Sequence, residues 1–85
     1  MLTISLTRHA KEQMEVRDLL MGDILHVLEK GYVYEPGEPA SQPGLFKYKM
    51  EAPTPNSNGR NVRVVLIPYP TQLVKILTVM WVDGN

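Results

Sequence analysis

The sequence contains no cysteine, and this absence excludes several kinds of chemistry. The 85-residue chain can form no disulfide framework, offers no thiolate to a metal ion and has no cysteine nucleophile. It has two histidines, His9 and His26, which are too far apart in sequence for the spacing of a zinc site. It also lacks a glycine-rich phosphate loop. We therefore expect no bound metal and no cofactor.

Net charge and long apolar runs are missing as well. Nine Lys and Arg balance nine Asp and Glu, so the whole-chain charge does not indicate nucleic acid or an acidic membrane as the partner. No apolar run reaches the roughly 20 residues of a membrane span, and the N-terminus lacks the apolar core of a signal peptide. With 44% hydrophobic residues the chain is globular. These features predict a single cytoplasmic domain over residues 1–85, without a membrane partner.

The charge that is present is unevenly distributed. Residues 45–85 carry five Lys or Arg against two Asp or Glu, a net charge of +3. Lys47 and Lys49 alternate with apolar residues, so they share one face of a predicted strand, and Arg63 joins them if the strand register allows. A basic sheet face of this kind is a candidate binding surface for an anionic partner. The alternative is an ordinary solvated outer face.

The N-terminal third predicts two helices. Thr7 is a good N-cap for a first helix over residues 8–16, because its hydroxyl can accept a backbone N–H of the first turn. Apolar residues with a 3.6-residue period predict a second helix over residues 22–30. Gly31 follows as a left-handed C-terminal cap. Residues 1–6 alternate in polarity but are too few for a firm strand assignment.

Beyond Gly31 the pattern changes to strands. Residues 36–44 contain three Pro and two Gly, which predicts no regular element there. The last strand is apolar on both faces, so we expect it to be central. Strands are predicted at Tyr32–Glu35, Leu45–Glu51, Val62–Ile67 and Leu73–Val82. The predicted fold class is α+β, with two N-terminal helices packed on an antiparallel sheet of about four strands.

The first helix carries a motif that resembles a known family. Residues 7–17 read Thr-Arg-His-Ala-Lys-Glu-Gln-Met-Glu-Val-Arg. They are similar to the start of the DUF4258 family, with its Thr or Ser, its His-Ala pair and Arg residues four and eight positions after the His. Arg17 matches the second Arg, whereas Gln13 stands where the family often has the first. If the first Arg normally binds phosphate in the family, this chain is expected to bind phosphate more weakly.

The resemblance also carries expectations about fold and activity. The DUF4258 family is similar to the RelE and MqsR toxins, which are grouped with barnase-like and colicin-like ribonucleases. This implies a RelE/MqsR-like fold and a toxin-like endoribonuclease that needs no metal ion, in which the ribose 2′-hydroxyl attacks its own phosphate. The partners implied are RNA and a cognate antitoxin protein.

Such a reaction needs a base, an acid and cations that stabilise the charge on phosphorus. The imidazole of His9 can accept or donate a proton and so suits the base or acid, and an Arg can bind phosphate with its planar fork. An aromatic ring can stack an RNA base. The predicted catalytic residues are His9, Arg17, Tyr48 and Arg63, and the predicted RNA-binding residues are Lys47 and Lys49.

Each of these residues also has an ordinary structural interpretation. His9 can cap a helix or bond a neighbouring carbonyl, and Arg17 can satisfy carbonyls at a helix end. Tyr48 shares its strand face with Phe46 and Met50, as a core residue would. The zero net charge and Gln13 favour an alternative function for the chain as a whole, a small non-catalytic protein-interaction domain of the same fold.

Overall fold

The computed structural model describes residues 2–33, 35–54 and 58–82. In this part of the chain two helices lie between a first strand and five later ones. Along the chain the elements are β1 (Thr3–Leu6), α1 (Arg8–Val16), α2 (Met21–Lys30), β2 (Tyr32–Val33), β3 (Glu38–Pro39), β4 (Phe46–Pro53), β5 (Asn61–Pro68) and β6 (Leu73–Trp81).

The centre of the sheet is the predicted antiparallel meander of β4, β5 and β6. The strands lie side by side in the order β1, β6, β5, β4, β2, and β3 pairs with β4 as well. Strand β6 has a neighbour on each side, which confirms that it lies inside the sheet. Its apolar residues on both faces are consistent with this interior position.

The predicted strand number and direction are wrong, because the sheet has six strands and is mixed. Strand β1 pairs in parallel with β6, from Thr3 opposite Leu73 to Leu6 opposite Ile76. This partner is distant in sequence, so a local pattern cannot reveal it. Strand β3 lies in the proline-rich segment that was expected to hold no regular element. Proline is tolerated in such an edge strand, where its missing N–H has no ladder bond to make.

Both helices begin at side-chain caps. Thr7 caps α1 as predicted, with its hydroxyl accepting the N–H of Ala10 at 3.0 Å, and α1 has the predicted bounds. Helix α2 begins one residue earlier than predicted, at Met21. Its cap comes from Asp23, whose carboxylate accepts the N–H of Leu20 at 2.9 Å. Asp23 is buried, and the positive end of the helix dipole favours its charge there.

Gly31 ends α2, but the predicted left-handed conformation is wrong. Its φ of −77° and ψ of 176° are extended backbone that any residue can adopt. Glycine is needed because the backbone passes close to β4. A Cβ at this position would collide with the carbonyl oxygens of Val27 in α2 and Glu51 in β4. The close approach anchors the end of α2 against the sheet.

The two helices cover the same face of the sheet, and the core lies between them. Ala10 of α1 and Ile24 and Val27 of α2 are fully buried there. From the strands the buried members are Ala52, Val62, Val64, Leu66, Val74, Ile76, Val79 and Trp81. We call the opposite side of the sheet the helix-free face. Neither described helix is long and apolar enough to cross a membrane.

Candidate nucleic-acid interface

The helix-free face gathers the basic residues of the three central strands. Glu51 of β4 lies opposite Arg63 of β5, so Arg63 shares a face with Lys47 and Lys49, which alternate with Glu51 along β4. Lys75 of β6 lies opposite Ile67 on the same side. The helix-free face therefore carries four cationic side chains, Lys47, Lys49, Arg63 and Lys75.

A groove of about 420 Å³ opens at one end of this face. Lys47 and Lys75 line it on either side of Ile67, and Tyr69 lies just beyond the end of β5. Residues 39–42 form the outer wall of the groove. The loop that contains them is bridged by a hydrogen bond, in which the N–H of Ala40 donates to the carbonyl of Leu45 at 2.9 Å. The groove thus combines two ammonium groups, a phenol and an apolar floor.

The four cations differ in what they contact. The Arg63 Nε–H donates to Glu51 Oε2 at 2.8 Å, and Lys49 Nζ lies 3.1 Å from Glu35 Oε1. Within the described residues, neither Lys47 nor Lys75 takes part in an ion pair. The groove therefore holds the two cations of this face that form no ion pair within the described residues, and Glu38 of β3 lies opposite Lys47 in the strand register.

Apolar side chains lie beneath these cations. Val65 and Ile67 are 7% and 9% exposed although no helix covers their face. Long lysine stems cover apolar surface while their ammonium groups stay in water, and Lys49 lies directly opposite Val65. Cations above an apolar surface suit single-stranded RNA, which presents phosphates together with unstacked bases.

Tyr48 lies on the other side of β4. It is opposite Leu66, a core residue, and its ring packs against Gly37. Tyr48 therefore does not share a face with Lys47 and Lys49. The aromatic residue of the groove is Tyr69, which the sequence reasoning missed together with Lys75. Only Lys75 had a usable signal, as a lone cation in an apolar strand.

His9 is exposed on the first turn of α1. The Thr7 N–H donates to the carbonyl of Ile76 at 3.0 Å, and its hydroxyl donates to the carbonyl of Leu77 at 3.0 Å. Leu77 lines the groove on the helix-free face, whereas His9 belongs to α1, which packs on the opposite face of the sheet. His9 is not itself a lining residue.

Arg17 lies at the other end of α1. Eight residues of helix put it about 12 Å from His9 along the axis. It lines a second cavity with Trp81 and Arg60, away from the groove. Its carbonyl accepts the Trp81 Nε1–H at 3.1 Å. The six residues predicted as one site therefore occupy four places, since Lys47, Lys49 and Arg63 lie together on the helix-free face and the other three lie apart from them and from one another.

No group of three or more His, Asp or Glu side chains that could hold a metal ion occurs among the described residues.

Comparison with known proteins gives one match. Neither the curated proteins nor the solved structures contain a significant match to this chain. The family described as "Domain of unknown function (DUF4258)" matches residues 6–81, which include α1 and all the strands of the basic face. The chain therefore belongs to the DUF4258 family.

Proposed function

We propose that this domain is a toxin-like endoribonuclease module that cleaves single-stranded RNA without a metal ion. The RNA lies along the helix-free face, and the natural partner is a cognate antitoxin protein that covers this face. The proposal includes a RelE/MqsR-like fold, which is the expectation that the resemblance of residues 7–17 to the DUF4258 family carries. The groove supplies the physical argument for it.

The observation that carries the proposal is the pair of lysines in the groove. Lys47 and Lys75 flank Ile67, and neither takes part in an ion pair within the described residues. Phosphate contacts dominate the affinity of proteins for nucleic acids, so cations outside ion pairs are the groups that would hold the backbone. The phenol of Tyr69 offers a surface on which a base can stack.

The proposed reaction is a transesterification. The ribose 2′-oxygen bonds to phosphorus and gives its proton to a base, while the bond from phosphorus to the 5′-oxygen breaks and that oxygen gains a proton. The products are a 2′,3′-cyclic phosphate and a 5′-hydroxyl. His9 is the candidate base or acid, and Lys47, Lys75 and Arg63 stabilise the charge on phosphorus. Arg17 and Tyr48 have no step in this scheme, since Arg17 lines the second cavity and the Tyr48 ring packs against Gly37 on the other side of β4.

The test of catalysis is a cleavage assay with a single-stranded RNA in the presence of EDTA. The wild type should release a 2′,3′-cyclic phosphate and leave DNA of the same sequence intact, because DNA has no 2′-hydroxyl. His9→Gln should lower the rate by about 10²–10⁴, the usual contribution of a general base. Full cleavage by a folded His9→Gln variant would remove His9 from the scheme, and no cleavage by the wild type would exclude the ribonuclease.

RNA binding has a matched pair of variants. The double variant Lys47→Ala/Lys75→Ala should lose affinity for RNA and should have a shallower dependence on salt, by about 0.7 in log–log slope for each lost contact. The double variant Lys11→Ala/Lys30→Ala removes the same charge from exposed helix positions and should bind as the wild type does. Equal losses in both variants would show that net charge, and not the groove, determines binding.

A non-catalytic protein-interaction domain is the second candidate. The ion pairs of Arg63 with Glu51 and of Lys49 with Glu35 favour it, because they offset two of the four cations on the face. Tyr32 and Val33 on edge strand β2 are 60% and 47% exposed, which suits contact with a protein. A wild type that binds RNA at no salt concentration would support this second function.

A further inference from the structure

We propose that β1 is an interaction surface through which two copies of this chain join their sheets into one continuous sheet. Strand β1 lies at the end of the sheet, and among the described residues β6 is its only strand neighbour. An edge strand presents unpaired N–H and C=O groups, which can pair with another strand. No residue of β1 lines the groove, so this inference does not depend on the proposed RNA function.

The backbone of β1 directs alternate residues toward β6 and toward the open edge. The N–H groups of Thr3 and Thr7 donate to carbonyls of β6 and of the residue before it, at 2.9 and 3.0 Å. Alternate residues of a strand in a parallel ladder bond to the same neighbour, so Ser5 also bonds toward β6. Ile4 and Leu6 lie between these residues, and their N–H and C=O groups point to the open edge.

The edge at β1 lacks the features that protect an edge strand from other chains. Charged side chains, prolines and very short strands discourage such pairing. The other end of the sheet has all of these, since β2 and β3 are two residues long and β3 consists of Glu38 and Pro39. Strand β1 has four residues, and residues 2–7 contain neither a charged residue nor a proline. Strand β1 is therefore the edge that is open to pairing.

The partner strand is β1 of a second copy, because β1 is complementary to itself. In an antiparallel pair centred on Ser5, Ile4 lies opposite Leu6 of the second copy, and the two exchange both of their free backbone hydrogen bonds. Their apolar side chains already pack in part against the core, so they meet on the helix-covered face. Ser5 lies opposite Lys75 on the helix-free face, and there it meets Ser5 of the second copy.

The helices leave room for this pairing. Helix α1 packs mainly on β6, which is the second strand from the edge. Neighbouring strands lie about 4.8 Å apart, so the α1 helices of the two copies would lie about 14 Å apart across the two β1 strands. Packed helices approach to about 8–10 Å, so these two do not collide. The net charge of the chain is zero, so two copies do not repel each other.

The joint is small, and we therefore expect a weak dimer. A pair of four-residue strands buries less than the roughly 1,200 Å² of a standard interface, which predicts a dissociation constant of about 10 μM to 1 mM. Sedimentation velocity of the untagged chain should show the monomer below this range of concentration and the dimer above it. Amide hydrogen exchange at Ile4 and Leu6 should slow as the concentration rises, whereas exchange at Tyr32 and Val33 on the other edge should not.

The decisive variant is Ser5→Cys, with Thr3→Cys as its control. The chain has no cysteine of its own, and both positions are exposed. In the proposed register the two Ser5 Cα atoms lie about 4.5 Å apart, which a disulfide can bridge. The two Thr3 Cα atoms lie about 13 Å apart along the strands, which a disulfide cannot bridge. In a glutathione redox buffer Ser5→Cys should become a covalent dimer, and Thr3→Cys should not.

A charge at the centre of the joint should weaken the dimer. Ser5→Lys places two ammonium groups opposite each other and should raise the dissociation constant about fivefold or more. Ser41→Lys makes the same change at an exposed position away from β1 and should leave the dissociation constant unchanged.

Four results would overturn the proposal. They are a wild type that stays monomeric up to about 1 mM, equal disulfide formation by Ser5→Cys and Thr3→Cys, a dimer that Ser5→Lys does not weaken, and protection of the edge amides only when another protein is added. The last result would identify a foreign strand as the occupant. None of these assays contains RNA, so each can fail or succeed without affecting the test of cleavage.

Discussion

The two faces of β5 bury similar side chains by different means. On the helix-covered face, Val62 and Val64 are fully buried beneath the helices. On the helix-free face, Val65 and Ile67 are 7% and 9% exposed beneath lysine stems and residues 39–45. A helix cannot leave without exposing the core, whereas a lysine side chain can move at small cost. Only the helix-free face can therefore replace the lysine stems that cover it by a ligand while the protein stays folded.

The largest expected effect tests the helix-covered face. Val79 is fully buried in β6, and Val79→Asp would place a charge in the core without a partner. We expect a loss of about 3–5 kcal/mol in the free energy of unfolding, which is most of the stability of a domain of this size. Met80→Asp is the control, since Met80 lies opposite Arg63 on the helix-free face. Chemical denaturation measures both, and equal losses would remove the distinction between the faces.

A smaller effect is expected where α2 meets the sheet. Gly31→Ala would push a Cβ into the carbonyl oxygens of Val27 and Glu51, and we expect a loss of about 1–3 kcal/mol from this overpacking. Gly22→Ala is the matched change in the same helix. A Cβ there has open space around it, so this variant should gain up to about 1 kcal/mol. Thermal melting of the two variants in opposite directions would confirm the close approach at Gly31.

The smallest expected change in the free energy of unfolding comes from a substitution on the helix-free face. Glu51→Gln removes the charge partner of Arg63, and a partly exposed ion pair of this kind contributes less than about 1 kcal/mol. Stability should therefore change little. Affinity for RNA should rise modestly at low salt, because the substitution removes one negative charge beside Arg63, and the gain should vanish at high salt. Affinity that is unchanged at low salt would show that Arg63 makes no contact with RNA.

Much of the fold could be predicted because its signals are local. Thr7 capped the first helix, and alternation along β4 assigned Lys47 and Lys49 to one face. The errors concern features that depend on distant residues. The pairing of β1 with β6 and the contact of Gly31 with β4 join segments that are far apart in sequence. No local period reports such contacts.

The candidate site was predicted less well, because a site is an arrangement of several elements. His9 and Arg17 were predicted as parts of one catalytic site, but the rise along the helix axis separates them by about 12 Å. Tyr48 was grouped with its neighbours in sequence, although alternate residues of a strand point to opposite faces. Lys75 and Tyr69 join the groove through β6 and the end of β5, so only the three-dimensional register brings them together.

The attachment of the first helix to the last strand has a consequence for folding. The hydroxyl of Thr7 reaches a carbonyl 70 positions away in the sequence, and α1 packs on β6. During synthesis the apolar side of α1 therefore stays exposed until β6 has left the ribosome. Closing so long a loop is slow, and exposed apolar segments aggregate in the meantime. We expect this small domain to refold more slowly than a helical bundle of equal length.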